Sequence, residues 1–197
     1  ASEEEAVARV QDFRFALDRL LQAEYGAHID SERIVAAGHS YGANTTLMVS
    51  GAKVVRNGRL LQFRDPRVSA AIVISAPPFY GEDDFGPILS GISIPTLHVT
   101  TTDDVIRIPG FGSGLDDRLK VFNAIGGSKV LAVYKQGSHN VFTEKRYFDS
   151  VEVADEVKGA TEALSLAFLD QAYGKRGSLD QWRQAHRAVF AQYEHRN

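Results

Sequence analysis

The feature that most constrains the fold of this chain is a regular alternation of apolar runs with amphipathic segments. From Glu3 to Tyr25 apolar residues recur every three or four positions, which predicts a helix. The run Ile34–Ala37 is apolar on both faces, which is typical of a buried parallel strand. Strands that alternate with helices predict an α/β fold, with a mostly parallel sheet covered by helices on both faces.

The same order continues along the chain. Further strands are predicted over Val68–Ser75, Ile94–Thr101 and Lys129–Lys135, and further helices from Tyr41, around Phe85–Leu89, over Leu115–Ile125 and over Val151–Tyr173. A last helix is predicted from an N-cap at Ser178 to about Tyr193. Turn residues mark loops at Asn57-Gly58, Pro77-Pro78, Gly110–Gly114 and Gly126-Gly127. No linker interrupts the pattern, so residues 1–197 are predicted to form a single domain.

Composition excludes several classes of protein. With 44% hydrophobic and 24% charged residues the chain has an ordinary globular composition, and no apolar stretch reaches the roughly 20 residues that a membrane span needs. We therefore expect a soluble protein without a transmembrane segment, in the cytoplasm or exported. A net charge of -3 without a basic cluster argues against a nucleic-acid partner. The absence of cysteine excludes thiol catalysis, and no motif predicts a metal or a cofactor.

The segment Gly38-His39-Ser40-Tyr41-Gly42 has the pattern G-x-S-x-G and lies between a predicted strand and a predicted helix. In that context the pattern is typical of a nucleophile elbow, a sharp turn that holds the serine at the carboxyl edge of the sheet. The backbone N–H of Tyr41, at the start of the helix, is the expected oxyanion donor. The alternative is a glycine-rich turn with an N-capping serine.

A serine nucleophile needs a base that takes its proton and a carboxylate that orients the base. Asp103 and Asp104 follow the strand that ends near Thr101, and His139 follows the strand that ends near Lys135. All three therefore lie at the same sheet edge as Ser40, where open α/β sheets bind their ligands. Either aspartate is a candidate acid, and the other is expected to cap the turn.

These residues resemble the α/β-hydrolase superfamily, and within it serine esterases similar to dienelactone hydrolases and platelet-activating-factor acetylhydrolases. The resemblance rests on Ile34–Ala43, on Ile94-Pro95-Thr96-Leu97 with Asp104 downstream, and on Gly137-Ser138-His139. It implies hydrolysis of a small-molecule carboxylic ester by Ser40, His139 and Asp104, without a cofactor. Asp104 is selected over Asp103 because it stands three residues after Thr101, the position that glycine usually holds in the family. Dienelactone hydrolases proper use cysteine, so ordinary ester hydrolysis is favoured.

The resemblance also implies an eight-stranded sheet, of which this chain shows the last four strands. Unpaired, Ile34–Ala37 would be an exposed edge strand. We therefore expect the first four strands, with the second oxyanion donor, to lie in residues that were removed, are disordered or belong to a separate chain. The oligomeric state is left open.

Aromatic residues near the expected site are candidates for contact with a substrate. They are Phe79, Tyr80, Phe85, Phe111 and Phe142. Ser75, at the end of its strand, is a further candidate. Each could equally pack within its own loop. Other hypotheses also remain open: an acyltransferase, amidase or peptidase with the same triad, or a hydrolase-like interaction domain without activity.

Overall fold

The computed structural model describes residues 3–144 and 148–197. Its strands are β1 (Ile34–His39), β2 (Lys53–Arg56), β3 (Arg59–Gln62), β4 (Val68–Ile74), β5 (Thr96–Asp103), β6 (Ile106–Ile108), β7 (Phe111–Ser113), β8 (Lys129–Ser138) and β9 (Phe190–Arg196). Its helices are α1 (Glu3–Gln22), α2 (Tyr41–Ser50), α3 (Gly86–Leu89), α4 (Leu115–Ala124), α5 (Val151–Ala172) and α6 (Ser178–Ala185), with a 3₁₀ turn at Glu24–His28.

The central sheet has five strands in the order β1-β4-β5-β8-β9. The first four strands of that order pair in parallel, and β9 pairs antiparallel with β8. Side chains of β4 alternate between two separate apolar clusters: Ala71 and Val73 pack with α1 and α2, whereas Ala70 and Ile72 pack with α5. Both faces of the sheet are therefore covered, which confirms the predicted α/β architecture.

The predicted strands and the helices up to α5 are present, with ends within a few residues of the predicted ones. The prediction of a last helix that runs to Tyr193 is wrong. Helix α6 ends at Ala185, its N-cap is Gly177 rather than Ser178, and Phe190–Arg196 forms β9. The free edge of β8 offers backbone hydrogen bonds to this segment, and that pairing overrides its local helical pattern.

Two short hairpins stand where loops were predicted. β2 pairs with β3 across Asn57-Gly58, both at positive φ, which suits the tight turn of a two-residue hairpin. β6 pairs with β7, so part of the predicted loop Gly110–Gly114 is strand. Both hairpins flank the carboxyl edge of the sheet, and residues from each line the cleft described below.

β1 lies at an edge of the sheet, and within residues 3–144 and 148–197 only β4 pairs with it. None of the helices in this part of the chain is long and apolar enough to cross a membrane.

Candidate active site

Ser40 occupies a strained turn between β1 and α2. Its backbone has φ 55° and ψ −125°, a conformation that costs a non-glycine residue on the order of 1–3 kcal/mol. The Ser40 N–H donates to the carbonyl of Ile74 at 2.9 Å, which ties the turn to the end of β4. This geometry places Ser40 at the carboxyl edge of the sheet.

Gly38 makes the turn sterically feasible. A Cβ at this position would lie 2.3 Å from the carbonyl oxygen of Gly42, so the strand and the first turn of α2 approach too closely for a side chain. A Cβ on Gly42 itself would meet no atom within 4 Å. The two glycines of the motif therefore differ, and only the first is required by packing.

Three side chains predicted from the sequence meet at this edge. The Ser40 hydroxyl donates to Nε2 of His139 at 2.8 Å, and His139 Nδ1–H donates to Oδ1 of Asp104 at 2.7 Å. Asp103, the other candidate acid, is exposed at the end of β5. A hydroxyl, an imidazole and a carboxylate in this order can transfer the serine proton to the imidazole while the carboxylate fixes the ring.

Asp104 is fully buried and is held by more than His139. Thr100 Oγ1 donates to its Oδ2 at 2.7 Å, and Arg118, in the first turn of α4, donates to both carboxylate oxygens at 3.1 and 3.3 Å. The Arg118 side chain is only 3% exposed, and its Nη1 also donates to Ser113 Oγ of β7 at 2.7 Å. Arg118 thus links the carboxylate to the β6–β7 hairpin.

The charge of Asp104 is stabilised by these partners. Burial acts to raise its pKa, but the hydrogen bond from His139 and the charge and hydrogen bonds of Arg118 outweigh burial, so the pKa is lowered. The Ser75 hydroxyl also lies close enough to lower this pKa, although it does not meet the geometry of a hydrogen bond. These partners therefore favour the ionised carboxylate of Asp104.

The loop that carries His139 is fixed from two sides. Ser138 donates to the Asp149 carboxylate through both its N–H and its hydroxyl, each at 2.6 Å. His39 Nε2–H donates to the carbonyl of His139 at 2.8 Å, and the two rings lie with centroids 4.7 Å apart. Burial is the main cause that lowers the pKa of His39, which favours the neutral form of this donor.

Neither His39 nor Arg118 received a role in the sequence analysis. Arg118 follows Asp104 by fourteen positions on a different element, and no motif marks it. His39, by contrast, had one usable signal, because it lies inside the elbow motif.

The expected oxyanion donor lies at the start of α2. Tyr41 is the first residue of that helix, so its backbone N–H has no acceptor within the helix. The partial positive charge at the helix N-terminus favours an anion at the same place. The site thus combines a proton relay with at least one donor for developing negative charge.

A cleft of about 750 Å³ opens beside Ser40. Its walls are formed by α1, α2, the two hairpins and the loop after β4; among its lining residues are Tyr41, Thr45, Met48, Val54, Leu61, Pro77, Phe79, Tyr80 and Phe111. Most of these side chains are apolar, as is usual for small-molecule sites.

The aromatic candidates divide into two groups. Phe79, Tyr80 and Phe111 line the cleft, and the rings of Tyr80 and Phe111 lie 4.8 Å apart. Phe142 does not line it and instead packs beside His39 and Tyr134. Phe85 is buried against Phe79, and Ser75 is buried at the end of β4.

Within the part of the chain that the structure describes, no three His, Asp or Glu side chains are grouped so as to hold a metal ion. No protein-family model matches the chain, and no curated protein matches it.

Proposed function

We propose that this chain is a serine hydrolase that cleaves carboxylic esters through an acyl-enzyme, and that its sheet belongs to an α/β-hydrolase fold. The observation that carries the proposal is the continuous relay from Ser40 through His139 to Asp104, with bonds of 2.8 and 2.7 Å. The strained backbone of Ser40 adds support, because such strain persists where function requires it.

In the first half of the reaction the Ser40 oxygen attacks the ester carbonyl carbon while its proton passes to Nε2 of His139. Asp104 stabilises the imidazolium, and the Tyr41 N–H binds the oxygen that becomes negative. When the tetrahedral intermediate collapses, the bond to the alkoxide breaks and the alkoxide takes the proton from His139.

In the second half, water attacks the acyl-enzyme and gives its proton to His139. Collapse releases the carboxylic acid and returns the proton to Ser40. His39 and Arg118 touch no reacting atom, and we assign them to positioning: His39 holds the backbone of His139, and Arg118 holds the carboxylate of Asp104.

The proposal is tested by labelling the folded protein with a fluorophosphonate and mapping the modified peptide. We expect an adduct on Ser40, none on Ser40→Ala, and labelling at least about a hundredfold slower on His139→Ala. Circular dichroism of each variant controls for folding. A wild-type protein that is folded and is not modified at Ser40 would rule out the proposal.

Turnover of matched para-nitrophenyl esters and para-nitroanilides then separates ester from amide cleavage. Added alcohol acceptors distinguish hydrolysis from acyl transfer. We expect hydrolysis of the ester with the anilide at least about a hundredfold slower, because nitrophenolate leaves as a stable anion whereas the nitroanilide must be protonated as it departs.

A further inference from the structure

The position of the cleft relative to the triad indicates which part of an ester it holds. The cleft is lined by Ser40 and Tyr41 but not by His139. His139 must give its proton to the departing alkoxide, so the alcohol portion of a bound ester lies beside His139. The other substituent of the carbonyl carbon then extends into the cleft. We propose that this cleft is an acyl pocket that selects uncharged, medium-length acyl chains. This inference rests on the proposed function.

The depth of the pocket follows from the helix that forms its wall. Tyr41, Thr45 and Met48 share one face of α2, and Met48 lies seven residues beyond Tyr41. Seven residues of α-helix span about 10 Å, the length of a medium acyl chain. Side chains along this face therefore contact successive methylene groups of the chain.

The β2–β3 hairpin closes the far end. Val54 and Leu61 form a cross-strand pair, are each 4% exposed, and belong to the same apolar cluster as Met48. Because this cluster is packed, a chain that reaches it gains no further room. Chain length is therefore limited by the hairpin rather than by the triad.

The charged groups around the pocket already have hydrogen-bond partners within the protein. Arg56 donates to Glu82 and to the carbonyl of Tyr80, and Glu5 accepts from Arg9. Glu3 accepts from Asn57. An acyl chain that ends in a carboxylate would lose its hydration without meeting a cation that lacks a partner among the described lining residues, and this cost opposes binding.

The first test measures kcat/KM for para-nitrophenyl acetate, butyrate, hexanoate and octanoate. Burial of a methylene group is worth about fourfold, so we expect at least a tenfold rise from acetate to hexanoate. Methyl to hexyl acetates, which lengthen only the alcohol, should differ by less than about threefold because the cleft does not receive them. An equal rise in both series, or no rise in the acyl series, would overturn the proposal.

The second test blocks the pocket. Thr45 is half-buried on the cleft face of α2, so Thr45→Phe fills the middle of the pocket with little risk to folding. We expect the octanoate-to-acetate ratio of kcat/KM to fall at least about tenfold. Leu166→Phe, on an exposed position of α5, is the control and should keep the wild-type ratio. An unchanged ratio in Thr45→Phe would contradict the assignment.

The third test compares para-nitrophenyl hexanoate with the hydrogen adipate ester, which has the same length and a terminal carboxylate. We expect the hexanoate to be preferred at least about twentyfold, and equal rates would refute the selection against charge.

Binding of methyl hexanoate to Ser40→Ala, measured by titration NMR, needs no turnover. At least about fivefold weaker binding after Thr45→Phe supports the pocket even if the wild-type protein hydrolyses no ester. Weaker binding by Thr45→Phe, together with no ester hydrolysis by the wild-type protein, would refute the proposed function but not the pocket. Hydrolysis that is insensitive to acyl length would refute the pocket alone.

Discussion

Gly38 and Gly42 hold equivalent places in the elbow motif but differ in what surrounds them. A Cβ on Gly38 would overlap the backbone of Gly42, whereas a Cβ on Gly42 meets open space. We expect Gly38→Ala to lower the free energy of unfolding by about 2–3 kcal/mol, because backbone rather than a flexible side chain must move. Gly42→Ala should change it by less than about 0.5 kcal/mol. Urea unfolding followed by circular dichroism measures both, and equal effects would contradict the steric argument.

Arg118 is expected to position the triad carboxylate. Arg118→Lys keeps the charge but loses the two-pronged contact with Asp104, so we expect kcat on an ester to fall about tenfold or more while KM changes less than threefold. Arg67 makes a comparable two-pronged contact with Asp65 at the opposite edge of the sheet. Arg67→Lys therefore serves as the matched control, with kcat unchanged. If kcat falls equally in both variants, the effect comes from stability and not from positioning.

The sequence predicts the triad residues for a physical reason. Ser40, Asp104 and His139 each follow directly after a strand, and parallel strands bring their carboxyl ends to one edge. Arg118 lies on a helix, and its contact with Asp104 depends on how α4 packs beside β5, which no local pattern encodes. The choice between Asp103 and Asp104 likewise depends on the turn after β5, so residue patterns alone left both open.

At the scale of the element, the C-terminal segment shows how tertiary contacts override local pattern. The residues after His186 continue a weak helical spacing, but Phe190–Arg196 pairs with β8 instead. Trp182 of α6 stacks on Phe190 at 5.7 Å and lies 5.9 Å from Tyr193. Phe190 and Tyr193 are three residues apart, a spacing that fits a helix better than a strand, so no local alternation indicated β9.

Trp182 should therefore hold α6 and β9 against α5. Its indole N–H donates to the carbonyl of Ala160 at 3.1 Å. We expect Trp182→Phe, which keeps an aromatic ring but loses this bond, to cost about 1 kcal/mol of unfolding free energy. Trp182→Ala, which also leaves a cavity, should cost about 3–5 kcal/mol. Urea unfolding measures both, with Leu166→Ala on exposed α5 as the neutral control; similar costs for Phe and Ala would show that the ring packing contributes little.

At the scale of the whole molecule, the central sheet separates two apolar clusters. Its strand β5 contributes both to this packing and to the candidate active site. The strand carries Asp104 just beyond its end and buries His98 within it, 4% exposed. His98 contacts Thr96 Oγ1 at 3.2 Å and packs edge-on against Phe122. Burial, and secondarily the charge of Lys129, lowers the pKa of His98 to about 3.

His98 should make the stability of the whole molecule depend on pH. In the unfolded chain a histidine binds a proton near pH 6.5, whereas His98 in the folded protein binds one only near pH 3. The unfolded state therefore binds more protons between these values, and the free energy of unfolding should fall by up to about 1.4 kcal/mol for each pH unit below 6.5. We expect His98→Gln to reduce the slope of unfolding free energy against pH over that window, whatever its effect on stability at pH 7. His28 lies at an exposed position, so His28→Gln is the control and should leave the slope unchanged. Urea unfolding at intervals from pH 7 to pH 4 measures the slopes, and an identical slope for wild type and His98→Gln would show that His98 is not the group that couples protonation to folding.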